Sequence, residues 1–223
     1  ASDAQKNTRV GTNAGNSFSG TTANENTLIG YDAGTSITTG DNNTAVGSYA
    51  LDATTTASEN VGIGRSSLAI NTTGATNTAI GYHALLANTT ADGNTGVGAY
   101  ALVANTSGAE NNAFGKSALG ANTTGNYNNA FGREALRLNT TASYNCAFGH
   151  EALESNTTGD RNVAMGYEAL ASCATHSANV AIGYQAMALN TANSNTAIGA
   201  YAMDANTTGG DNCALGSIAL GGN

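Results

Sequence analysis

Histidine and cysteine side chains are the groups in this chain that could most readily bind a metal or act as nucleophiles. The histidines are His83, His150 and His176, and the cysteines are Cys146, Cys173 and Cys213. No two histidines have HxxxH spacing, and no Cys/His arrangement has the spacing of a zinc site. The cysteines form no CxxC pair and are too few for a disulfide framework. We therefore expect no metal and no cofactor.

Acidic residues recur just before an asparagine that leads each repeat. They are Asp41, Glu59, Asp92, Glu110, Asp160 and Asp211. A row of carboxylates along one edge could bind calcium, but successive repeats often lack one, and the nonapeptide calcium-binding pattern is absent. An active site would need a local departure from the repeat with converging acids and bases. Because the departures here are single substitutions, we expect solvated charge and no enzyme.

The elements that must position these groups belong to one repeat of about 17 residues, which NTAIGYHALLANTTADG (77–93) represents well. Thirteen units are each led by asparagine: Asn7, Asn26, Asn43, Asn60, Asn77, Asn94, Asn111, Asn128, Asn145, Asn162, Asn179, Asn195 and Asn212. Burying two large side chains yields roughly 3–6 kcal/mol, whereas ordering such a unit costs on the order of 20 kcal/mol. Each unit must therefore pack on its neighbours.

The sequence predicts an all-β fold, a single β-solenoid over residues 1–223 with about thirteen stacked coils. At ~4.8 Å per coil, it would be a rod of roughly 60 Å. Each coil combines a short strand, N-x-A-(I/V/F/M/L)-G, with a tight bend or single helical turn that contains leucine. Proline is absent, as expected where every coil donates backbone N–H groups to the next.

Strand alternation predicts that the large apolar residue before the glycine faces inward. Val46, Ile63, Ile80, Val97, Phe114, Phe131, Phe148, Met165, Ile182, Ile198 and Leu215 would then form one core row. The leucine of the bend, as in Leu119, Leu136 and Leu153, would form a second core row opposite the first.

The leading asparagines are predicted to form a structural amide ladder, here represented by Asn77, Asn94, Asn111, Asn128, Asn145 and Asn162. The NTT segment has the composition of a turn. It is also an N-glycosylation pattern, at Asn71, Asn88, Asn122, Asn139, Asn156 and Asn206, with NTS at Asn105. If these amides point inward, no glycan can be attached.

The two positions after the glycine predict an exposed stripe. Lys116, Arg133 and His150 share one column, and Glu134, Glu151 and Glu168 share the next. The tyrosines Tyr82, Tyr100, Tyr167, Tyr184 and Tyr201 lie in these columns. An exposed tyrosine ridge suits contact with carbohydrate or another protein, and the alternative is that the rings simply cover the bend.

Charge and hydropathy exclude several classes of partner. The net charge of −8 leaves no surface that could neutralise a run of phosphates, so no nucleic acid is expected. No apolar run approaches the ~18 residues of a membrane span, and no signal peptide is recognisable. The chain does not begin with Met, which indicates processing or excision. It ends without a capping element, so more chain follows or rods stack end to end.

Units such as NTAIGYHALLANTT and NTAIGAYAMDANTTGG resemble the shaft repeats of bacteriophage tail fibres and tail spikes. More distantly, they resemble the NxAIG coils in the heads of trimeric autotransporter adhesins. The resemblance covers thirteen units and implies a surface-exposed fibre or adhesin, often homotrimeric, with an extracellular, cell-surface or virion location. The autotransporter repeats are shorter, and no heptad stalk, membrane anchor or self-cleaving chaperone domain is recognisable here.

The leading hypothesis is thus a structural rod segment that associates with copies of itself, as a homotrimer or an end-to-end filament, and presents a surface to cell-surface carbohydrate or protein. The alternative is a repetitive face that binds ice or carbohydrate. Threonine recurs at the second position of the repeat, in Thr8, Thr27, Thr44, Thr78, Thr95 and Thr196. Val61, Asn112, Asn129, Cys146, Val163, Val180 and Cys213 interrupt this row.

Overall fold

A computed structural model describes residues 5–18 and 22–221 of the chain. The fold is all-β, and the described residues contain thirteen strands and no helix. The chain divides into two compact units, an N-terminal unit, Ala1–Glu110, and a C-terminal unit, Asn111–Asn223. Each unit is a parallel β-solenoid of stacked coils, so the predicted fold class is confirmed. That the whole chain forms one solenoid stays a prediction.

Each coil contributes one strand of three residues. The N-terminal unit contains β1 (Thr8–Val10), β2 (Thr27–Ile29), β3 (Thr44–Val46), β4 (Val61–Ile63), β5 (Thr78–Ile80) and β6 (Thr95–Val97). The C-terminal unit contains β7 (Asn112–Phe114), β8 (Asn129–Phe131), β9 (Cys146–Phe148), β10 (Val163–Met165), β11 (Val180–Ile182), β12 (Thr196–Ile198) and β13 (Cys213–Leu215). Within each unit, consecutive strands pair in parallel with equivalent residues aligned.

The strands face the opposite way from the predicted orientation. In every strand from β2 to β13 the middle residue is buried, as Ala130 and Ala147 show, whereas the first and third residues face outward. Phe114 and Phe148 are 37% and 39% exposed, and Phe131 is partly exposed. The predicted inward row of large apolar residues, including Phe114, Phe131 and Phe148, is therefore wrong.

The leading asparagine explains this orientation. Asn128 lies two residues before Ala130, so the two side chains share one face of an extended segment. Asn128 is fully buried because it makes the hydrogen bonds of a ladder, and Phe131 must then point outward. The interior is also narrow, since a Cβ added at Gly62 in β4 would lie 3.2 Å from Leu51 Cγ. Only alanine or glycine occupies the inward strand position in most coils.

The leucine row is buried as predicted. Leu119, Leu136 and Leu153 are fully inaccessible, but their backbones are left-handed, with φ of 51°, 51° and 53°. A left-handed non-glycine residue costs roughly 1–2 kcal/mol, which burial of a leucine, worth roughly 1.5–3 kcal/mol, offsets.

The left-handed residues also direct backbone donors alternately to the two neighbouring coils. Glu134 N–H donates to the carbonyl of Lys116 in the preceding coil, and Leu136 N–H donates to the carbonyl of Ala152 in the following coil, both at 3.0 Å. The bend is thus a series of turns bonded between coils, and the single helical turn does not form.

Adjacent coils approach closely at the glycine after each strand. Gly132 has φ of +145°, and a Cβ at this position would lie 2.2 Å from the carbonyl oxygen of Gly149 in the next coil. Any side chain here would force adjacent coils apart, which explains why glycine recurs at this position in every coil.

The predicted asparagine ladder is present within each unit. Asn128 N–H donates to Asn111 Oδ1 at 2.9 Å, and Asn145 N–H donates to Asn128 Oδ1 at 3.0 Å. In the N-terminal unit, Asn94 N–H donates to Asn77 Oδ1 at 2.9 Å. Each amide thereby links consecutive coils, and the side chains are fully buried. These bonds make the buried asparagines structural groups, since an unpaired amide in this interior would cost free energy.

A second ladder runs through the asparagines of the NTT segments. Asn139 Nδ2 donates to Asn122 Oδ1 at 2.7 Å and to the carbonyl of Ala142 at 3.0 Å. The same Ala142 carbonyl accepts Asn128 Nδ2 at 2.8 Å, so the two ladders meet at one oxygen. The interior is therefore built from two amide rows as well as from alanine and leucine.

The second ladder is interrupted where Thr54 and Cys173 replace asparagine. Both residues are fully buried, and the Thr54 hydroxyl has no hydrogen-bond partner. Asn156 Oδ1, which in a regular coil would accept an amide from position 173, is also buried without a partner. Ile37, which is also fully buried, replaces asparagine one coil before Thr54, so the second ladder of the N-terminal unit begins at Asn71, whereas Cys173 breaks the ladder within the C-terminal unit. The changes at Thr54 and Cys173 each leave a buried polar atom unsatisfied.

Candidate interaction surfaces

The tyrosine stripe is exposed, as the sequence predicts. Tyr82, Tyr100, Tyr167, Tyr184 and Tyr201 are between 37% and 46% exposed. In the N-terminal unit, the Tyr82 and Tyr100 rings meet edge to face, with centroids 5.3 Å apart. In the C-terminal unit, Tyr167 and Tyr184 stack at 5.2 Å, and Tyr184 meets Tyr201 at 5.2 Å. Because the rings cover one another, the stripe presents mainly ring edges and hydroxyls.

Two tyrosines of the C-terminal unit have raised pKa values. The hydrogen bond from Tyr167 to Glu168, followed by the charge of Glu168, raises the pKa of Tyr167 to about 12. Burial raises the pKa of Tyr184, with a smaller effect from Tyr201. Tyr167 and Tyr184 therefore carry neutral hydroxyls at neutral pH.

The charged columns pair with one another on the same side of the C-terminal unit. Arg137 contacts Glu154 of the next coil at 2.6 Å, and Arg133 contacts Glu134 at 2.8 Å. The hydrogen bond from Arg133 is the main reason why the pKa of Glu134 is lowered. These pairs are open to solvent and contribute little to stability.

The acidic residues before the leading asparagine are used by the backbone. Asp41 Oδ1 accepts the N–H of Asn24, and Asp160 Oδ1 accepts the N–H of Ser143, both at 2.7 Å. In the part of the chain that the structure describes, no three His, Cys, Asp or Glu side chains are grouped as metal ligands would be. Two of these carboxylates thus bond to the preceding coil.

The three cysteines occupy different environments, and all are free thiols. Cys213 is exposed, Cys146 is half-buried on β9, and Cys173 lies in the interior. Burial raises the pKa of Cys173 to about 11, so this thiol stays protonated at neutral pH.

The NTT glycosylation patterns lie on buried side chains. Asn71 and Asn156, for example, are fully inaccessible and donate Nδ2 to the carbonyls of Gly74 and Gly159. An oligosaccharide cannot be attached to an amide in this position of the folded chain.

The surface that sequence reasoning missed is formed by the first and third residues of the strands. We call it the outer strand face. In all thirteen described strands, neither position holds Asp, Glu, Lys, Arg or His. This pattern was readable from the repeat, because the strand alternation was correct and only its direction was inverted.

The outer strand face differs between the units. In the N-terminal unit it consists of threonine with valine or isoleucine, whereas in the C-terminal unit Phe114, Phe131 and Phe148 form a column. Their rings stack with centroids 4.7 and 4.5 Å apart. Beside them, Asn112 Nδ2 donates to Asn129 Oδ1 at 3.0 Å.

No protein-family model, curated protein or solved structure matches this chain. The described residues form no helix of the length and hydrophobicity needed to cross a membrane. The resemblance to tail-fibre shafts accordingly stays a prediction.

Proposed function

We propose that this chain is a structural rod segment of an extracellular or virion fibre, which associates with copies of itself and presents repeated surfaces to a partner. The observation that carries the proposal is the uncharged outer strand face. The chain has a net charge of −8, yet no Asp, Glu, Lys, Arg or His occupies this face in any described strand. An uncharged, partly apolar face is suited to contact with protein, because charged residues are depleted from the centres of protein interfaces.

The C-terminal unit offers the more apolar part of this face. Phe114, Phe148, Met165 and Ile198 each remain between 37% and 42% exposed. Their rows repeat at the strand spacing of ~4.8 Å, and a second copy carries rows of the same period. Two such faces can interdigitate as paired sheets do in a dry zipper, so a copy of this chain is the partner that fits this face.

The interior supports a structural role. The strands, the leucine row and the two amide ladders bond or pack coil to coil, and departures from the repeat on the surface are single side chains. The tyrosine stripe is a second surface, on which ring edges and hydroxyls are available to cell-surface protein or carbohydrate. A sugar would stack on few exposed ring faces, because the rings of the C-terminal unit cover one another.

Sedimentation velocity over a range of protein concentrations tests the proposal. We expect the chain to form trimers or longer assemblies, and Phe131→Lys to shift the distribution to monomer because it places a charge in the phenylalanine column. Tyr184→Lys is the matched control, since it adds the same charge to the tyrosine stripe of the same unit and should leave association unchanged. A chain that remains monomeric throughout would refute the proposal.

A further inference from the structure

We propose that the outer strand face of the N-terminal unit binds ice. This activity is separate from self-association through the C-terminal unit. The face has two columns: the first strand positions hold Thr8, Thr27, Thr44, Val61, Thr78 and Thr95, and the third positions hold Val10, Ile29, Val46, Ile63, Ile80 and Val97. Every residue in both columns is threonine, valine or isoleucine, so each carries a branched Cβ with at least one methyl group.

The geometry of the face is regular in two directions. In-register parallel pairing aligns Thr27 with Thr44 and Thr78 with Thr95, which places equivalent atoms ~4.8 Å apart along the coils. The first and third residues of one strand lie on the same side, separated by roughly 6.6 Å at ~3.3 Å per residue. Both distances are close to oxygen repeats in hexagonal ice. The face can therefore hold water molecules in positions that match a crystal plane.

The threonine hydroxyls of this face are available to water. Within the described residues, Thr27, Thr44, Thr78 and Thr95 make no side-chain hydrogen bond to protein. The first threonine of the NTT segments differs, because its hydroxyl is used between coils. Thr72 Oγ1, for example, donates to the carbonyl of Thr89 at 3.0 Å. The threonine row on the outer strand face therefore has free hydroxyls, in contrast to the row that includes Thr72.

The apolar column beside the threonines is also accessible. Ile29, Ile63 and Ile80 are 37% to 38% exposed, and no charged side chain interrupts them. Water next to methyl groups has restricted orientations, and neighbouring hydroxyls can anchor it by hydrogen bonds. Val61 preserves the methyl groups of the threonine row and omits one hydroxyl, so it interrupts the pattern only slightly.

The backbone beneath the face is held rigidly. Asn60 N–H donates to Asn43 Oδ1 at 3.0 Å, and Asn77 N–H donates to Asn60 Oδ1 at 2.9 Å. A surface that is already ordered loses little conformational entropy when it binds a lattice. The C-terminal unit has the same ladder but places Asn129, Cys146 and phenylalanines on its face, which removes the threonine array.

Thermal hysteresis of the purified chain, measured by nanolitre osmometry with inspection of ice-crystal shape, tests this proposal. We expect hysteresis that rises with protein concentration, together with faceted crystals. Thr78→Lys should abolish most of the hysteresis because it places a long charged side chain in the middle of the array. Thr196→Lys is the matched control, because the same substitution at the same strand position of β12 lies between Val180 and Cys213, and its activity should equal that of the unmodified chain.

A milder variant separates loss of binding from loss of folding. Thr44→Val combined with Thr78→Val removes two hydroxyls and keeps the fold, because Val61 already occupies this position, and it should lower hysteresis. The proposal is overturned if the unmodified chain shows no hysteresis and no crystal shaping, if both lysine variants lose activity equally, or if the valine variant retains full activity. Sedimentation of the same samples reports self-association independently.

Discussion

The N-terminal and C-terminal units have the same interior and different outer strand faces. Both bury alanine, leucine and two rows of asparagine. The ladder bond from the backbone N–H of one leading asparagine to Oδ1 of the preceding one has the same length in both units. It is 2.9 Å from Asn94 to Asn77 and 2.9 Å from Asn128 to Asn111. Outside, the N-terminal unit presents threonine with isoleucine or valine, whereas β7 to β9 of the C-terminal unit present asparagine, cysteine and phenylalanine. The comparison shows that the fold constrains the inward positions and leaves the outward positions free to acquire function.

Loss of a ladder amide should have the largest effect, and the effect should be the same in both units. Asn128→Ala leaves the backbone N–H of Asn145 without its acceptor and opens a cavity, which should lower the free energy of unfolding by about 2–4 kcal/mol. Asn77→Ala should cost a similar amount, because Asn94 N–H loses the equivalent acceptor. Urea unfolding measures both.

The control for the ladder variants is Asn129→Ala, on the outer strand face of the same strand. Its expected cost is below about 1 kcal/mol, since the side chain is half-buried and makes one lateral amide bond. Equal losses for Asn128→Ala and Asn129→Ala would contradict the assignment of inner and outer positions.

Overpacking of the interior should have the next largest effect. Ala130→Leu inserts a large side chain beside the buried leucine row and should destabilise the chain by about 1–3 kcal/mol. Phe131→Leu, one residue away, changes an exposed side chain and should cost less than about 1 kcal/mol. Chemical denaturation of the two variants compares the positions directly, and the reverse order of stabilities would show that the large apolar residue is inside.

Repair of the interrupted ladder should stabilise the chain. Cys173→Asn gives the buried Asn156 Oδ1 a donor and should raise the free energy of unfolding by about 1–2 kcal/mol. In the N-terminal unit, Thr54→Asn should have the same sign because it extends the ladder by one coil beyond Asn71 and replaces the unsatisfied Thr54 hydroxyl. Cys213→Asn, on an exposed site, should change stability by less than about 0.5 kcal/mol. Thermal melts compare the three variants, and no gain at position 173 would argue against the ladder.

The surface ion pair should contribute least. Arg137→Ala removes the contacts with Glu154 and should cost below about 1 kcal/mol. High salt should shrink the difference, because the pair is partly exposed and screened. A much larger cost that persists in high salt would show that the pair is more deeply buried than its geometry indicates.

Much of this architecture could be predicted from the repeat. A 17-residue repeat cannot fold alone, and the absence of proline indicates uninterrupted pairing between coils. These two observations predict parallel stacking. The leucine that recurs in each repeat then predicts a buried leucine row. The direction of the strand was predicted wrongly because hydrophobicity alone was used to choose the inward residue. The middle strand position is alanine or glycine in eleven of the thirteen strands, and that restriction marks a narrow interior.

The candidate surfaces were less accessible to sequence reasoning. The exposed tyrosines were predicted, because their columns follow directly from the repeat. The outer strand face was not, because it required the correct direction of Phe131 and its equivalents. Whether a threonine hydroxyl is free, as in Thr78, or bonded, as in Thr72, depends on coil-to-coil distances that the repeat does not encode.

Thiol labelling at adjacent positions of β8 tests the central claim most directly. In a chain with Cys146→Val, Cys173→Asn and Cys213→Thr, which are residues found at the same positions of other coils, Phe131→Cys and Ala130→Cys each introduce a single thiol. The structure predicts that the thiol at position 131 reacts rapidly with maleimide in the native protein, whereas the thiol at position 130 reacts only after unfolding. Rapid native labelling at 130 with protection at 131 would contradict the account.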